Sequence, residues 1–284
     1  MSPATAHTPL ANQKILITGS RGFLGRYLIQ ELKKYASHIY TFDRDIRTIR
    51  NYNKRVDLVY HLAALTREMP PNPSLNFFDV NVTGTEAVLR YCLRSGARCI
   101  FASSAAIYLP HPRATPLAET AVLQPQNSYG KSKKIAEEIC QFFSHQMGVP
   151  VTILRIFNLY GPHQKEDFLI PYLITAISKG HPVTLKTPHA IRDFIHILDA
   201  ASAFRMSAEK APTGFRVFNV GYGMGHSIYH VAQKISRALN KEMDVRLCQS
   251  SIKNSVISDN SAIFKALSWK PSISLREGIR LILS

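Results

Sequence analysis

Long apolar runs are missing from this chain, and no stretch is long and apolar enough to span a bilayer. The opening residues MSPATAHTPLANQ lack the basic segment followed by an apolar one that marks a secretory leader, so residues 1–13 read as a flexible tail. Cysteine is scarce. Cys92, Cys99, Cys140 and Cys248 form no CxxC pair and join no histidine at metal-ligand spacing, so neither a metal site nor a disulfide scaffold is expected, and a reducing cytoplasm is the expected location. No internal repeat or low-complexity tract occurs. Acidic residues are few, 19 against 35 Lys and Arg, which leaves a net charge of +16. That surplus points to an anionic partner. The basic residues are dispersed and lack interleaved aromatics, which argues against nucleic acid and for a surface that draws in anionic small molecules.

What is present is an alternation of short strand-like runs and helical patterns. From Lys14 the chain reads KILITG, a helix, HIYTFD, a short link, VDLVYHLAA, a helix, and RCIFASS. Such alternation predicts an α/β fold of the Rossmann type, a doubly wound parallel sheet with helices on both faces. Further strand-like runs, VPVTILRIFNLYG and FRVFNVG, are separated by a long segment. The expected organisation is a dinucleotide-binding domain over residues 14–161, with returning elements near 190–221, and a smaller interleaved substrate-binding lobe mainly in 162–284.

The run ILITGSRGFLG places Gly19, Gly22 and Gly25 between an apolar strand and a helix. Positions without Cβ let the turn close, bring amides up to a pyrophosphate and aim a helix N-terminus at it. Asp43 ends the next strand about 20 residues on, where a carboxylate accepts hydrogen bonds from an adenosine ribose. The acid favours NAD; the adjacent Arg44 suits the extra phosphate of NADP. Farther on, Tyr129 and Lys133 stand at i and i+4 on one face of a predicted helix, where an ammonium lowers the pKa of a phenol. A solvated lysine face is the alternative. The same helix carries apolar Ile135, Ile139, Phe142 and Phe143, more than one core-facing stripe needs, so a homodimer through this helix is expected.

The segments TGSRGFLG, DLVYHLAAL, NVTGT, FASSAAIY, SYGKSK, LRIFNLYGP, IRDFIHILD, FNVGYG and LSWKPSISL stand in one order along the chain. In that order they resemble the extended short-chain dehydrogenase/reductase family, in its branch of NAD-dependent nucleotide-sugar epimerases, dehydratases and reductases. The resemblance implies that Tyr129 is the acid/base, that Lys133 lowers its pKa and binds the nicotinamide ribose, and that Ser104 hydrogen-bonds the reacting oxygen. Capping of a turn is the structural alternative for Ser104. The implied cofactor site comprises Gly19, Gly22, Phe23, Leu24, Gly25, Asp43, Arg44, Asp45, Ile46, Leu62, Ala63, Ala64, Asn81, Ser103, Tyr129, Lys133 and Ile156. Asp45 and Ile46 stand at the family's adenine position, Leu62 to Ala64 at the wall beside the central ribose and phosphates, and Asn81 where the family steadies the sheet and a water.

Asn158 and Arg192 match positions that hold the diphosphate of a nucleotide-sugar, although Arg192 could instead pair with Asp193; His196 is read as a packing residue. Dehydratases of the branch carry Asp and Glu directly after the Ser or Thr, and here those places are Ala105 and Ala106. Neither transfers a proton. The reading left is a C4-epimerase using NAD, with an NADPH-dependent 4-ketoreductase as the alternative. Leu109 and the segment TPHAIRDF depart from the family pattern beside the expected sugar site, so they leave the sugar open.

Overall fold

A computed structural model describes residues 10–67, 72–211, 213–248 and 254–284. The first half comprises β1 (Lys14–Thr18), α1 (Phe23–Leu32), β2 (His38–Phe42), β3 (Leu58–His61), α2 (Pro73–Phe77), α3 (Gly84–Ser95), β4 (Arg98–Ser104), α4 (Ser128–Met147), β5 (Val151–Ile156) and β6 (Asn158–Tyr160). The second comprises α5 (Leu169–Ser178), β7 (Val183–Leu185), β8 (Ile191–His196), α6 (Ile197–Lys210), β9 (Phe215–Val220), β10 (Gly225–Ser227), α7 (Ile228–Leu239), β11 (Val245–Leu247), β12 (Ser255–Val256), α8 (Ser261–Leu267) and α9 (Leu275–Leu283).

Six strands form one parallel sheet in the order β2-β1-β3-β4-β5-β9. Their sequences are near-continuous apolar runs because both faces are covered. Ile15 and Ile17 of β1 point into a layer with Leu28 of α1, Phe204 of α6 and Leu267 of α8. Leu16 points the other way, to Val88 of α3 and Ala136 of α4. The sheet is thus doubly wound, and the chain leaves β1 for β2 on one side and β3 on the other. A crevice opens beyond the carboxyl ends of the strands at that switch point. The link from β2 to β3 holds only a 3-10 turn, Ile46–Asn51, so β2 is an edge strand.

The second lobe packs α5, α7 and α9 around Leu173, Val231 and Ile279, with β7 paired to β11 and β8 at the centre of a small sheet with β10, β12 and β6. Within residues 190–221, α6 and β9 rejoin the first lobe, whereas β8 belongs to the second. α8, late in the chain, also returns to the first lobe through Ile263 and Leu267.

The tail assignment covers too much. Leu10–Asn12 form a 3-10 turn with Leu10 buried beneath the sheet, while residues 1–9 lie outside the described set. Cys92, Cys99 and Cys140 are buried free thiols, and Cys248 is an exposed one. No helix among the described residues is long and apolar enough to cross a membrane.

Candidate active site

The crevice is a cavity of about 930 Å³ between the lobes. Its wall includes Arg21, Arg26, Arg67, Lys133, Lys165 and Arg192, and none of the described lining residues is Asp or Glu. A site walled only by cations and neutral groups suits a ligand with several anionic charges.

At one end, β1 turns into α1 through the glycines. Gly19 has φ +69, and a Cβ there would come within 2.7 Å of the Ala63 amide nitrogen. A Cβ on Gly25 would collide with the Gly19 carbonyl, so strand and helix meet at a distance only glycine permits. Gly22 caps α1 with no side-chain bond, and the first helical backbone bond closes at Arg26. The amides of Phe23, Leu24 and Gly25 therefore have no acceptor in their own helix and face the cavity. Ser103, on the same wall, keeps a buried hydroxyl with no hydrogen-bond partner among the described residues. Together these donors fit a bound dinucleotide, for which Leu62, Ala64 and Ile156 supply apolar wall.

Four of the expected cofactor residues stand elsewhere. Asp45 accepts from the Arg47 amide at 3.0 Å and pairs with the Arg47 guanidinium at 2.6 Å, which caps the 3-10 turn. Ile46 is buried against Gly84, and Ala63 packs behind Gly19. Asn81 sits 1% exposed in a π-helical turn, Phe78–Thr83. Its amide accepts from Leu65 N at 2.8 Å and donates to Leu65 O and Ser132 Oγ, both at 2.9 Å. It pins the cavity-wall loop to α4 and does not reach the cavity. Asp43 and Arg44 are not among the residues that line the cavity. Asp43 accepts from Ser20 Oγ at 2.5 Å and faces the exposed Arg21 at 3.6 Å.

At the other end, β4 stops at Ser104. Its Oγ accepts from Ala106 N at 3.1 Å, capping a 3-10 turn, Ala105–Ile107, and the same hydroxyl acts on the Tyr129 phenol, lowering its pKa. The capping and the contact to Tyr129 coexist. Asn127 caps α4 by accepting from Gly130 N at 2.8 Å, and any Cβ on Gly130 would strike the Ala106 carbonyl. This close approach of α4 sets Tyr129 against Ser104.

Lys133 follows one turn later, buried, donating to the Ala102 carbonyl at 2.7 Å and lying 4.6 Å from the centroid of the Phe101 ring. Burial pulls its pKa from 10.5 down to about 8. The expected lowering of Tyr129 by Lys133 is absent here: the ammonium is committed to Ala102. Burial instead raises Tyr129 above the ordinary phenol value, and the Ser104 side chain opposes that rise.

Behind the site, buried Arg155 pairs with Glu137 of α4 at 2.7 Å and donates to Tyr108 Oη at 2.8 Å, bracing α4 against β5. In the second lobe Asn158 donates to the Asp193 carbonyl at 2.9 Å. Arg192 donates through Nη1 to Asn254 Oδ1 at 2.9 Å, and both Asn158 and Arg192 line the cavity. Strand alternation turns Asp193 to the opposite face. There its carboxylate accepts from the amides of Tyr222, Gly223 and Ser258 and from Ser258 Oγ at 2.6 Å, so it is no partner of Arg192. His196 caps α6 and packs edge-on against Tyr160, as expected of a packing residue.

Arg67, His163, Lys165 and Phe168 also line the cavity. They sit on loops where no sequence motif marks them.

A model of the NAD dependent epimerase/dehydratase family matches residues 15–221. The UDP-glucose 4-epimerase of Pisum sativum is 26% identical over 95% of this chain and 94% of that protein. The GDP-6-deoxy-D-talose 4-dehydrogenase of Aggregatibacter actinomycetemcomitans is 28% identical over 82% of each chain. Among solved structures, MoeE5 in complex with UDP-glucuronic acid and NAD superposes with a TM-score of 0.86 at 25% identity, covering 94% of this chain and 97% of that one. Fold, motif order and family model agree, and the chain belongs to the NAD dependent epimerase/dehydratase family.

Proposed function

We propose that this protein is a nucleotide-sugar 4-epimerase that uses NAD. The observation that carries the reading is that Ser104 and Tyr129 line one cavity free of described carboxylates, with Lys133 beside them and Ala105 and Ala106 next to the serine. The uncapped N-terminus of α1 and the unpartnered Ser103 hydroxyl would hold the dinucleotide. When bound, the nicotinamide supplies hydride exchange at the sugar C4.

The chain's own residues manage the rest. Tyr129 takes the proton from the C4 hydroxyl and returns it, while Ser104 donates to the same oxygen and fixes its position. Lys133, one helical turn from Tyr129 on the same wall, would hold the cofactor ribose and favour the ionised phenol. Asn158 and Arg192 would receive the diphosphate, Arg192 with guanidinium donors beyond the Nη1 bonds it already makes.

An NADPH-dependent 4-ketoreductase is the second reading. It is favoured by Arg21 and Arg44 beside Asp43, two exposed cations where a 2′-phosphate would sit. We also propose a homodimer through α3 and α4, where Leu93 is 46%, Ile135 40% and Phe142 52% exposed. Phe143 is buried and Ile139 packs with the core, so the apolar surface is narrower than helical periodicity alone suggests.

The deciding experiment offers UDP-, GDP-, dTDP- and CDP-sugars, and their 4-keto forms, with and without NADPH. Epimer formation without net cofactor consumption supports the first reading. Stoichiometric NADPH oxidation on a keto-sugar supports the second, and neither outcome with any substrate rejects both.

A further inference from the structure

Residues 162–168 run along the cavity mouth between β6 and α5, with His163, Lys165 and Phe168 on the cavity wall. This strap belongs to the second lobe but is tied to the first at both ends. At its start, Tyr27 of α1 donates to the Pro162 carbonyl at 2.8 Å and Arg26 to the His163 carbonyl at 3.4 Å. At its end, Arg67, from the loop after β3, pairs with Asp167 and stacks 4.1 Å from the centroid of the Phe168 ring. Within its own lobe the strap is held by Gln164, whose Nε2 donates to Leu159 O at 2.8 Å and whose N reaches Gly161 O at 3.4 Å, and by Phe168, whose N reaches Lys165 O at 3.1 Å and whose O accepts from Tyr172 N at 2.9 Å. Between them His163 adopts φ 62, and residues 165–167 make no further backbone bond to the second lobe among those described. Left-handed backbone at a non-glycine residue persists only where surroundings enforce it. The Arg67 and Asp167 side chains are 37% and 54% exposed, so their attraction is modest and screened by salt. A weak, screened contact across a cleft is suited to repeated opening.

We propose that Arg67 is a positioning residue: by clasping Asp167 and Phe168 it holds the strap across the cavity mouth, and a dinucleotide seated on the glycine loop leaves only when the clasp opens. The gating part rests on the dinucleotide seat proposed above; the clasp itself does not.

The test measures amide hydrogen exchange of the strap in the full chain without ligand, for the wild type, Arg67→Ala, Asp167→Asn and the double variant. Each single substitution is expected to speed exchange roughly 3- to 10-fold. The double variant should be no faster than Arg67→Ala, because both remove one shared contact. Additive effects, or none, overturn the clasp. Release of NADH, followed by its fluorescence after mixing with excess NAD, should accelerate by a similar factor in Arg67→Ala and rise with salt only when Arg67 is present. Intact NADH binding with unchanged release overturns the gating role. Failure of the wild type to bind NADH sinks the dinucleotide reading and its gating role together, and hydrogen exchange then judges the clasp alone.

Discussion

Replacing Lys133 by methionine should stabilise the ligand-free protein while removing its activity. The ammonium is buried, and burial brings it from 10.5 to about 8. That difference corresponds to about 3 kcal/mol lost by carrying the charge in the fold. The sign follows from proton counting. Between about pH 8 and 10.5 the unfolded chain keeps a proton that the fold has released, so wild-type stability climbs with pH across that window and bears the full penalty below it. Lys133→Met abolishes the penalty but gives up the bond to Ala102 O, worth about 1 kcal/mol. The variant should therefore gain about 2 kcal/mol near pH 7 and lose its advantage near pH 10. Urea unfolding with linear extrapolation at both pH values measures this directly. A variant less stable near neutrality, or a difference that ignores pH, would refute the reasoning.

Other substitutions probe separate parts. Tyr129→Phe should cut turnover roughly 10²- to 10⁴-fold with sugar-nucleotide affinity retained, since it removes the proton carrier and little area; near-normal turnover would reject the acid/base role. Gly19→Ala should abolish dinucleotide binding in a calorimetric titration and destabilise the fold, because φ +69 and the Ala63 amide both oppose a Cβ. Arg155→Met should cost about 3–5 kcal/mol in chemical denaturation by leaving the buried Glu137 of α4 unpaired. If Glu137→Gln added to Arg155→Met restores much of that loss, the uncompensated charge is the cause.

The parallel sheet was legible because its strands are apolar on both faces, and the glycine turn because three Cβ-free positions stand between a strand and a helix. Ser104 and Tyr129 were legible as a pair because a strand end and a first helical turn converge on one crevice. What Asp45 and Asn81 touch was not legible, because the sequence does not say which way a polar side chain points: one folds back onto Arg47, the other onto the Leu65 backbone. Lys133 stands one turn after Tyr129 as the spacing predicts, yet its preference for a carbonyl of β4 depends on a backbone one layer away. Arg67 and Phe168 carried no signal, because two loops distant in sequence meet only once both lobes have formed.

The edge position of β2 has a practical meaning. The cavity encloses Ser104 and Tyr129, whereas Asp43 and Arg44 lie outside its wall with no strand beyond them among the described residues. A dinucleotide tagged on its adenine ring would project into solvent there, and one tagged on its nicotinamide would meet the wall. Resins or dyes linked through adenine should therefore capture this protein in working form, an attachment route that a sheet extended past β2 would block.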